Sequence, residues 1–325
     1  MVKTLKTLAI VFTAIAICYA AGYGCGRLLK VMLNRSIEYP ATAREGVVDN
    51  YFGTEVADPY RWLEDDNSEA TAQWVAAQNK VTFDYLHSLP AREAIKARLE
   101  QLWDYPTQGA PSKHGDWYYI SRNSGLQNQS VIYRKRNLED SQEEVFLDPN
   151  TLSEDGTVAL NTATFSKDGK LFAYSLASAG SDWVEIFVMD AESKTLLSDH
   201  IKWVKFSGAS WSPDCKGFYY SAYDAPKEGE ALYSALNANQ KVYYHRIGTS
   251  QSEDTLIYAD PAHPLHYFHG GESEDGKWQF ITSSAGTSGT QVLYKRTSER
   301  KWRTLFKGFD YDYMILDCYK DELMV

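Results

Sequence analysis

The sequence predicts a mainly β fold: an open β-propeller of about four blades and the start of a fifth, preceded by a helical arm. Two observations carry that prediction. The first is a repeated pairing of short runs rich in aromatic and β-branched residues, the composition that suits a pleated, half-buried surface. LFAYSL (171–176) is followed by WVEIFVM (183–189), GFYYSAY (217–223) by KVYYHRI (241–247), WQFITSS (278–284) by QVLYKRT (291–297), and WYYISRN (117–123) by SVIYRKR (130–136). The second is the polar turn that opens each pair. Ser166-Lys167-Asp168-Gly169-Lys170, Ser212-Pro213-Asp214-Cys215-Lys216 and Ser273-Glu274-Asp275-Gly276-Lys277 share one pattern, and Ser112-Lys113-His114-Gly115 is a looser copy. Their leading serines lie 54, 46 and 61 residues apart, near the period of about 40–50 residues expected of a four-stranded blade. An irregular β-sandwich is the alternative, but sandwiches seldom repeat their turn chemistry in register.

From the N-terminus, Lys3 and Lys6 precede an apolar run over residues 8–18, and Ala20, Ala21 and Gly22 offer small residues to signal peptidase. Residues 1–30 therefore read as a signal peptide, with export to a periplasm or the exterior. An uncleaved membrane anchor is the alternative: the weakly polar run reaches Gly26, with Arg27 and Lys30 behind it, and barely spans a bilayer. A lipoprotein cysteine at Cys18 or Cys25 lacks a good small-residue box before it.

Residues 39–64 read as extended and loop-like, with turns at Asp49-Asn50 and Asp58-Pro59. A helix then starts near Asp66-Asn67-Ser68, any of which can cap it, with Glu69 in the first turn where the helix dipole favours acid. Trp74, Ala77, Val81 and Tyr85, with Val75 and Leu86 beside them, form one apolar face, and Leu89-Pro90 ends the helix. A second helix over residues 91–103 puts Ile95, Leu99, Leu102 and Trp103 on its buried side before Asp104-Tyr105-Pro106 breaks it. The arm, residues 38–106, has too little core to stand alone and needs something to pack on. The partial propeller takes up residues 107–325.

Within the second repeat, Gly169 supplies the positive φ its turn demands, a further polar turn falls at residues 190–194, and a short outer strand covers 195–197. Cys215 stands where the sister turns carry Gly169 and Gly276, so that turn is either reshaped or strained. Residues 225–239, rich in Ala, Glu and Asn, read as an inserted loop that explains the longest serine spacing. Asp310-Tyr311-Asp312-Tyr313 reads as the first strand of a fifth blade. The net charge of −10, with no basic stripe, disfavours nucleic acid as a partner. Beyond the N-terminal segment only Cys215 and Cys318 remain, which is neither a disulfide framework nor a metal-ligand spacing.

Asp58-Pro59-Tyr60-Arg61-Trp62-Leu63-Glu64-Asp65 resembles the N-terminal signature of the prolyl oligopeptidases, serine peptidases that cut short peptides after proline. The resemblance runs in order through Gly125-Leu126-Gln127-Asn128-Gln129, Asp148-Pro149-Asn150, Gly180-Ser181-Asp182-Trp183-Val184, Tyr243-Tyr244-His245 and Gln251-Ser252-Glu253-Asp254. It implies an incomplete seven-bladed propeller, an arm that belongs structurally to an α/β-hydrolase domain, and a propeller that limits access of large substrates. Three blades and the catalytic body lie outside the match, so the chain is expected to be a truncated N-terminal portion, inactive alone. The alternatives are a non-enzymatic propeller binding module and one half of a split peptidase. The implied partners are short proline-containing peptides and a hydrolase domain supplied in cis or in trans.

The residues themselves offer no catalytic, cofactor-binding or metal site. A hydrolase of this class needs Gly-x-Ser-x-Gly, whose small flanks permit the strained nucleophile turn. The nearest stretch, Gly286-Thr287-Ser288-Gly289, has the wrong spacing and reads as a hairpin loop. His263, His266 and His269 form the one dense histidine cluster, but Pro261 and Pro264 forbid the helix that would gather them, and an extended chain points i and i+3 to opposite faces. Asp168, Asp214 and Asp275 read as local turn caps. The Tyr-Tyr pairs at 118–119, 219–220 and 243–244 read as half core, half groove. Lys320 to Leu323 spells a retention tetrapeptide, but it is not terminal and carries no address.

Overall fold

The computed structural model describes residues 37–226, 236–319 and 322–325. The signal or anchor (1–30), most of the inserted loop (225–239) and part of the tetrapeptide lie outside the described residues. The chain divides into two compact units, residues 1–93 and 94–325.

In the first unit, β1 (Val48–Tyr51) and β2 (Thr54–Ala57) form a hairpin within the stretch expected to be extended and loop-like. The chain reverses at Phe52-Gly53, both at positive φ (54° and 93°), so Asp49-Asn50 is strand rather than turn. Arg61 Nε reaches Asp58 Oδ2 at 2.6 Å and the same guanidinium pairs with Asp49, fastening the signature segment to the hairpin. Helix α1 (Glu69–His87) is capped by Ser68, whose Oγ accepts from the Thr71 amide at 3.1 Å. Helix α2 (Arg92–Trp103) follows, and all but its first two residues belong to the second unit. Neither helix has a buried residue. On α1 the expected face is half-buried at Trp74, Ala77 and Val81 and exposed at Tyr85, whereas on α2 it is open throughout: Ile95 is 57% exposed and Trp103 61%.

The second unit is a series of antiparallel sheets. β3 (Thr107–Gln108) and β4 (Ser112–His114) both pair with β5 (Trp117–Asn123), followed outward by β6 (Val131–Lys135) and β7 (Glu144–Leu147). The second repeat is β8 (Val158–Phe165), β9 (Leu171–Ser178), β10 (Trp183–Asp190) and β11 (Leu196–Lys205). The third is β12 (Ser210–Trp211), β13 (Gly217–Ala222), β14 (Lys241–Arg246) and β15 (Thr255–Tyr258), and the fourth β16 (Tyr267–Glu272), β17 (Trp278–Ser284), β18 (Gln291–Arg296) and β19 (Arg303–Phe306). A single Val204–Ala222 pairing joins the second and third repeats into one continuous sheet. β20 (Asp317–Tyr319) and β21 (Glu322–Met324) form a final hairpin.

Three expectations change here. The outer strand of the second repeat is not residues 195–197 but runs to Lys205, because its polar residues find partners: His200 Nε2 lies 2.6 Å from Glu185 Oε2. Residues 310–313 are not a strand. Their backbone is tied to the loop of the fourth repeat instead, the Tyr313 amide donating to Thr290 Oγ1 at 2.6 Å and the Thr290 amide to the Tyr311 carbonyl at 2.8 Å. Ser112 lies within β4 and opens a two-residue hairpin at Gly115-Asp116, without the Ser–Asp bond of the other three turns.

The core sits between the repeats. Val184, Ile186, Val188, Ile201, Val204, Phe218 and Tyr220 pack the second repeat on the third. Tyr219, Val242, Phe268, Ile281 and Leu293 pack the third on the fourth. Between the first and second, Arg134 is itself buried (3% exposed), its guanidinium 4.1 Å from the Trp117 ring centroid, donating to the Ala191 carbonyl and, at 2.9 Å, to that of Glu192.

Candidate functional site

The repeated turns connect the first two strands of their repeats, β8 to β9, β12 to β13 and β16 to β17. In each of these the Ser hydroxyl donates to the Asp Oδ1 two residues on, at 2.7, 2.8 and 2.7 Å for Ser166, Ser212 and Ser273. The same Oδ1 accepts from the Lys amide at 3.1 Å in each case. Asp168, Asp214 and Asp275 are therefore turn caps, as their local sequence suggests. Cys215 resolves the alternative left open: the turn is not reshaped, its amide still donates to the Ser212 carbonyl at 3.0 Å, and Cys215 takes φ +59° beside +71° for Gly169 and +68° for Gly276. From the second turn Lys167 reaches past the third repeat to Glu274 of the fourth, pairing with its carboxylate and donating to its carbonyl at 3.1 Å.

A cavity of about 640 Å³ runs along β16 and is lined by His269, Glu272, Phe280, Thr290, Asp312 and Met314, among others. Two of its carboxylates are engaged: Glu272 accepts from Tyr219 and, at 3.1 Å, from Gln279, while Asp312 accepts from the Gly289 amide at 2.7 Å.

Of the three clustered histidines, His263 and His266 stay together and His269 lies in β16. Asp260-Pro261-Ala262-His263 and His263-Pro264-Leu265-His266 are two successive turns with proline at the second position, closed by amide-to-carbonyl bonds of 3.2 and 3.1 Å. The segment is thus not extended, and His263 and His266 stack face to face at 4.7 Å. His263 Nδ1 lies 2.8 Å from Asp260 Oδ2, while His269 enters β16 opposite Thr282. Among the described residues no three His, Cys, Asp or Glu side chains are gathered as a metal would need. Gly286-Thr287-Ser288-Gly289 falls in the β17–β18 hairpin connection.

One constellation escaped the sequence reading. His245, fully buried, has Nδ1 2.7 Å from Asp254 Oδ1 and Nε2 2.9 Å from Asp199 Oδ1. Tyr220 donates its hydroxyl to Asp254 Oδ2 at 2.6 Å, and the Gly248 amide donates to Asp199 at 2.6 Å. Burial first, and then the Asp254 carboxylate, push the Tyr220 phenol far up and keep it protonated. With both ring nitrogens held by carboxylates, His245 has none left to take a proton from a nucleophile. The signal in the sequence is Tyr243-Tyr244-His245 followed nine residues on by Asp254; Asp199, on another repeat, carries none.

Comparison with known proteins places this architecture. The model of the prolyl oligopeptidase N-terminal β-propeller domain matches residues 39–325. The chain belongs to the prolyl oligopeptidase family. It is 42% identical over 288 residues to the prolyl endopeptidase of Elizabethkingia meningoseptica, covering 88% of this chain and 40% of that one. Prolyl oligopeptidase A of Galerina marginata is 35% identical over 317 residues, with 86% and 42% covered. Among solved structures, Galerina marginata prolyl oligopeptidase B bound to a 25mer macrocyclization substrate superposes with TM-score 0.75 at 31% identity, covering 88% of this chain and 44% of that one. The chain therefore spans about two fifths of the length of these prolyl oligopeptidase relatives. No described helix is long and apolar enough to cross a membrane.

Proposed function

We propose that this chain is the N-terminal, propeller-bearing portion of an exported prolyl oligopeptidase-like serine endopeptidase that cleaves short peptides after proline, and that it is inactive by itself. The observation that carries the reading is the match along residues 39–325 to the family's propeller domain, over the stretch in which the blade-like repeats fold. Residues 38–106 serve as the arm that packs on an α/β-hydrolase body, supplied in cis or in trans, and 107–325 as the partial propeller. Each helix leaves apolar residues exposed, Phe83 and Leu86 on α1 and Ile95, Leu99, Leu102 and Trp103 on α2, which supports that assignment because clustered exposed apolar residues mark binding surface. Export rests on the basic and apolar pattern of residues 1–30.

The test uses a proline-containing chromogenic peptide with the purified chain, alone and after adding the separately produced hydrolase portion of the Elizabethkingia relative. No turnover alone and turnover on addition is the expected result. Turnover by the chain alone overturns the proposal of inactivity, and an added hydrolase portion that neither binds nor gains activity overturns assembly in trans. Fractionation of expressing cells, with the mature N-terminus read by mass spectrometry, tests export: full-length chain in the cytoplasm counts against it.

A further inference from the structure

His245 is buried between two carboxylates that come from different repeats. Asp199 comes from β11, the outer strand of the second repeat, while His245 comes from β14 and Asp254 from the end of the 3-10 turn Gln251–Glu253 in the third. The three side chains are 1%, 0% and 2% exposed. Beside them Gln251 treats β11 as a strand partner, accepting from the Lys202 amide and donating to its carbonyl, both at 3.0 Å. The titratable groups facing the imidazole are Asp199 from β11, Asp254 and, through Asp254, Tyr220 from β13, with Tyr243 of β14 stacked behind Tyr220 at 5.7 Å. Phe218 lies 5.2 Å from the imidazole.

A neutral imidazole carries one N–H, so in either tautomer its other nitrogen would present a lone pair to a carboxylate oxygen within 2.9 Å, in a site shut off from water. A second proton, on the ring or on a carboxyl group, removes that clash. The Tyr220 hydroxyl and the Gly248 amide both donate to these carboxylates and need acceptor oxygens there, which leaves the ring as the place for the proton. We propose that His245 is a proton-binding site, a doubly protonated imidazolium that clasps the outer strand of the second repeat to the third and releases it on losing that proton. Burial works against the charged ring, but the hydrogen bonds and charges of Asp254 and Asp199 outweigh it and raise the imidazole above its ordinary value of 6.5. The clasp is complete below that value and is lost as the pH climbs through the raised one.

Nitrogen-15 NMR of the full chain labelled at histidine reads the ring directly, with the His245 signal assigned by its loss in His245→Gln. At pH 6.5, the ordinary value, a ring with most of its population at the doubly protonated shift is the expected result; a ring half protonated or less there overturns the proposal. Amide exchange of Leu196–Lys205, normalised to Trp278–Ser284 to cancel intrinsic base catalysis, should then rise about tenfold per pH unit above the ring's titration, the slope of a one-proton linkage. A ring that titrates with no change in that ratio also overturns it. His245→Gln should make the normalised exchange independent of pH. Should that variant fail to fold, Tyr220→Phe keeps all three charged groups and removes one donor from Asp254. It should move the ring's titration to higher pH, and an unmoved midpoint speaks against the clasp.

Discussion

At the scale of the residue, the turn chemistry decides what each position tolerates. Cys215 occupies the left-handed region at φ +59°, where a side chain costs about 1–2 kcal/mol. Cys215→Gly should therefore stabilise the chain by about 1 kcal/mol after the extra freedom of an unfolded glycine is subtracted, as read by denaturant unfolding. The reverse change separates two sister turns. A Cβ on Gly276 meets nothing within 4 Å, whereas one on Gly169 runs into the Gly115 amide. Gly276→Ala should cost about 1 kcal/mol from backbone conformation alone, and Gly169→Ala clearly more. The Asp275 carboxylate is held down to about 2, first by Ser273 and then by the Lys277 amide. A lowered acid stabilises the fold above its ordinary 3.8, and that contribution fades as the pH falls from there through about 2; carboxyl carbon-13 titration of Asp275 reads it. These caps were legible in the sequence because their partners lie within five residues. Asp199 was not, since its partners sit on the next repeat.

Elements were legible where a single face repeats a simple pattern. The paired strands appear within a residue or two of their expected limits, as Trp117–Asn123 and Trp278–Ser284 do without change. β11 looks short in the sequence because Ser198-Asp199-His200 interrupts its apolar run, yet Asp199, Ile201 and Val204 are all buried. A polar strand residue that finds its partner across a junction looks, in sequence, like the end of the strand. The β1–β2 hairpin was missed because all but one of its residues are exposed, so no alternation marks it. The start of α1 was legible through its cap. Ser68→Ala removes the acceptor of the Thr71 amide and should destabilise the helix by about 1 kcal/mol, measurable as loss of helical circular dichroism at lower temperature.

For the whole molecule, the repeats differ in how fully they are framed. Strands β9 and β10 have a ladder on both sides and lie inside the longest continuous sheet, while β20 and β21 form a pair of their own. Hydrogen exchange should be slowest at Phe172–Tyr174 and Ile186–Val188 and fastest at β20–β21, following buried contact and ladder continuity. An order reversed between those two would show that the sheet does not unfold as ranked. The repeat architecture and the family were legible as a whole, because turn chemistry and signature motifs recur in order. What the helices pack on was not legible, since an amphipathic pattern shows that a face is apolar without showing what covers it.

The approach of Gly169 to Gly115 brings the first and second repeats together main chain against main chain, with no side chain between them to absorb a change in length. Adding one residue to either turn would displace both loops at once. A library of single-residue insertions scanned along the chain should thus be depleted at 114–116 and 167–170, and an engineer seeking a place for a tag or a graft should look to the exposed residues Ser141 and Gln142 instead.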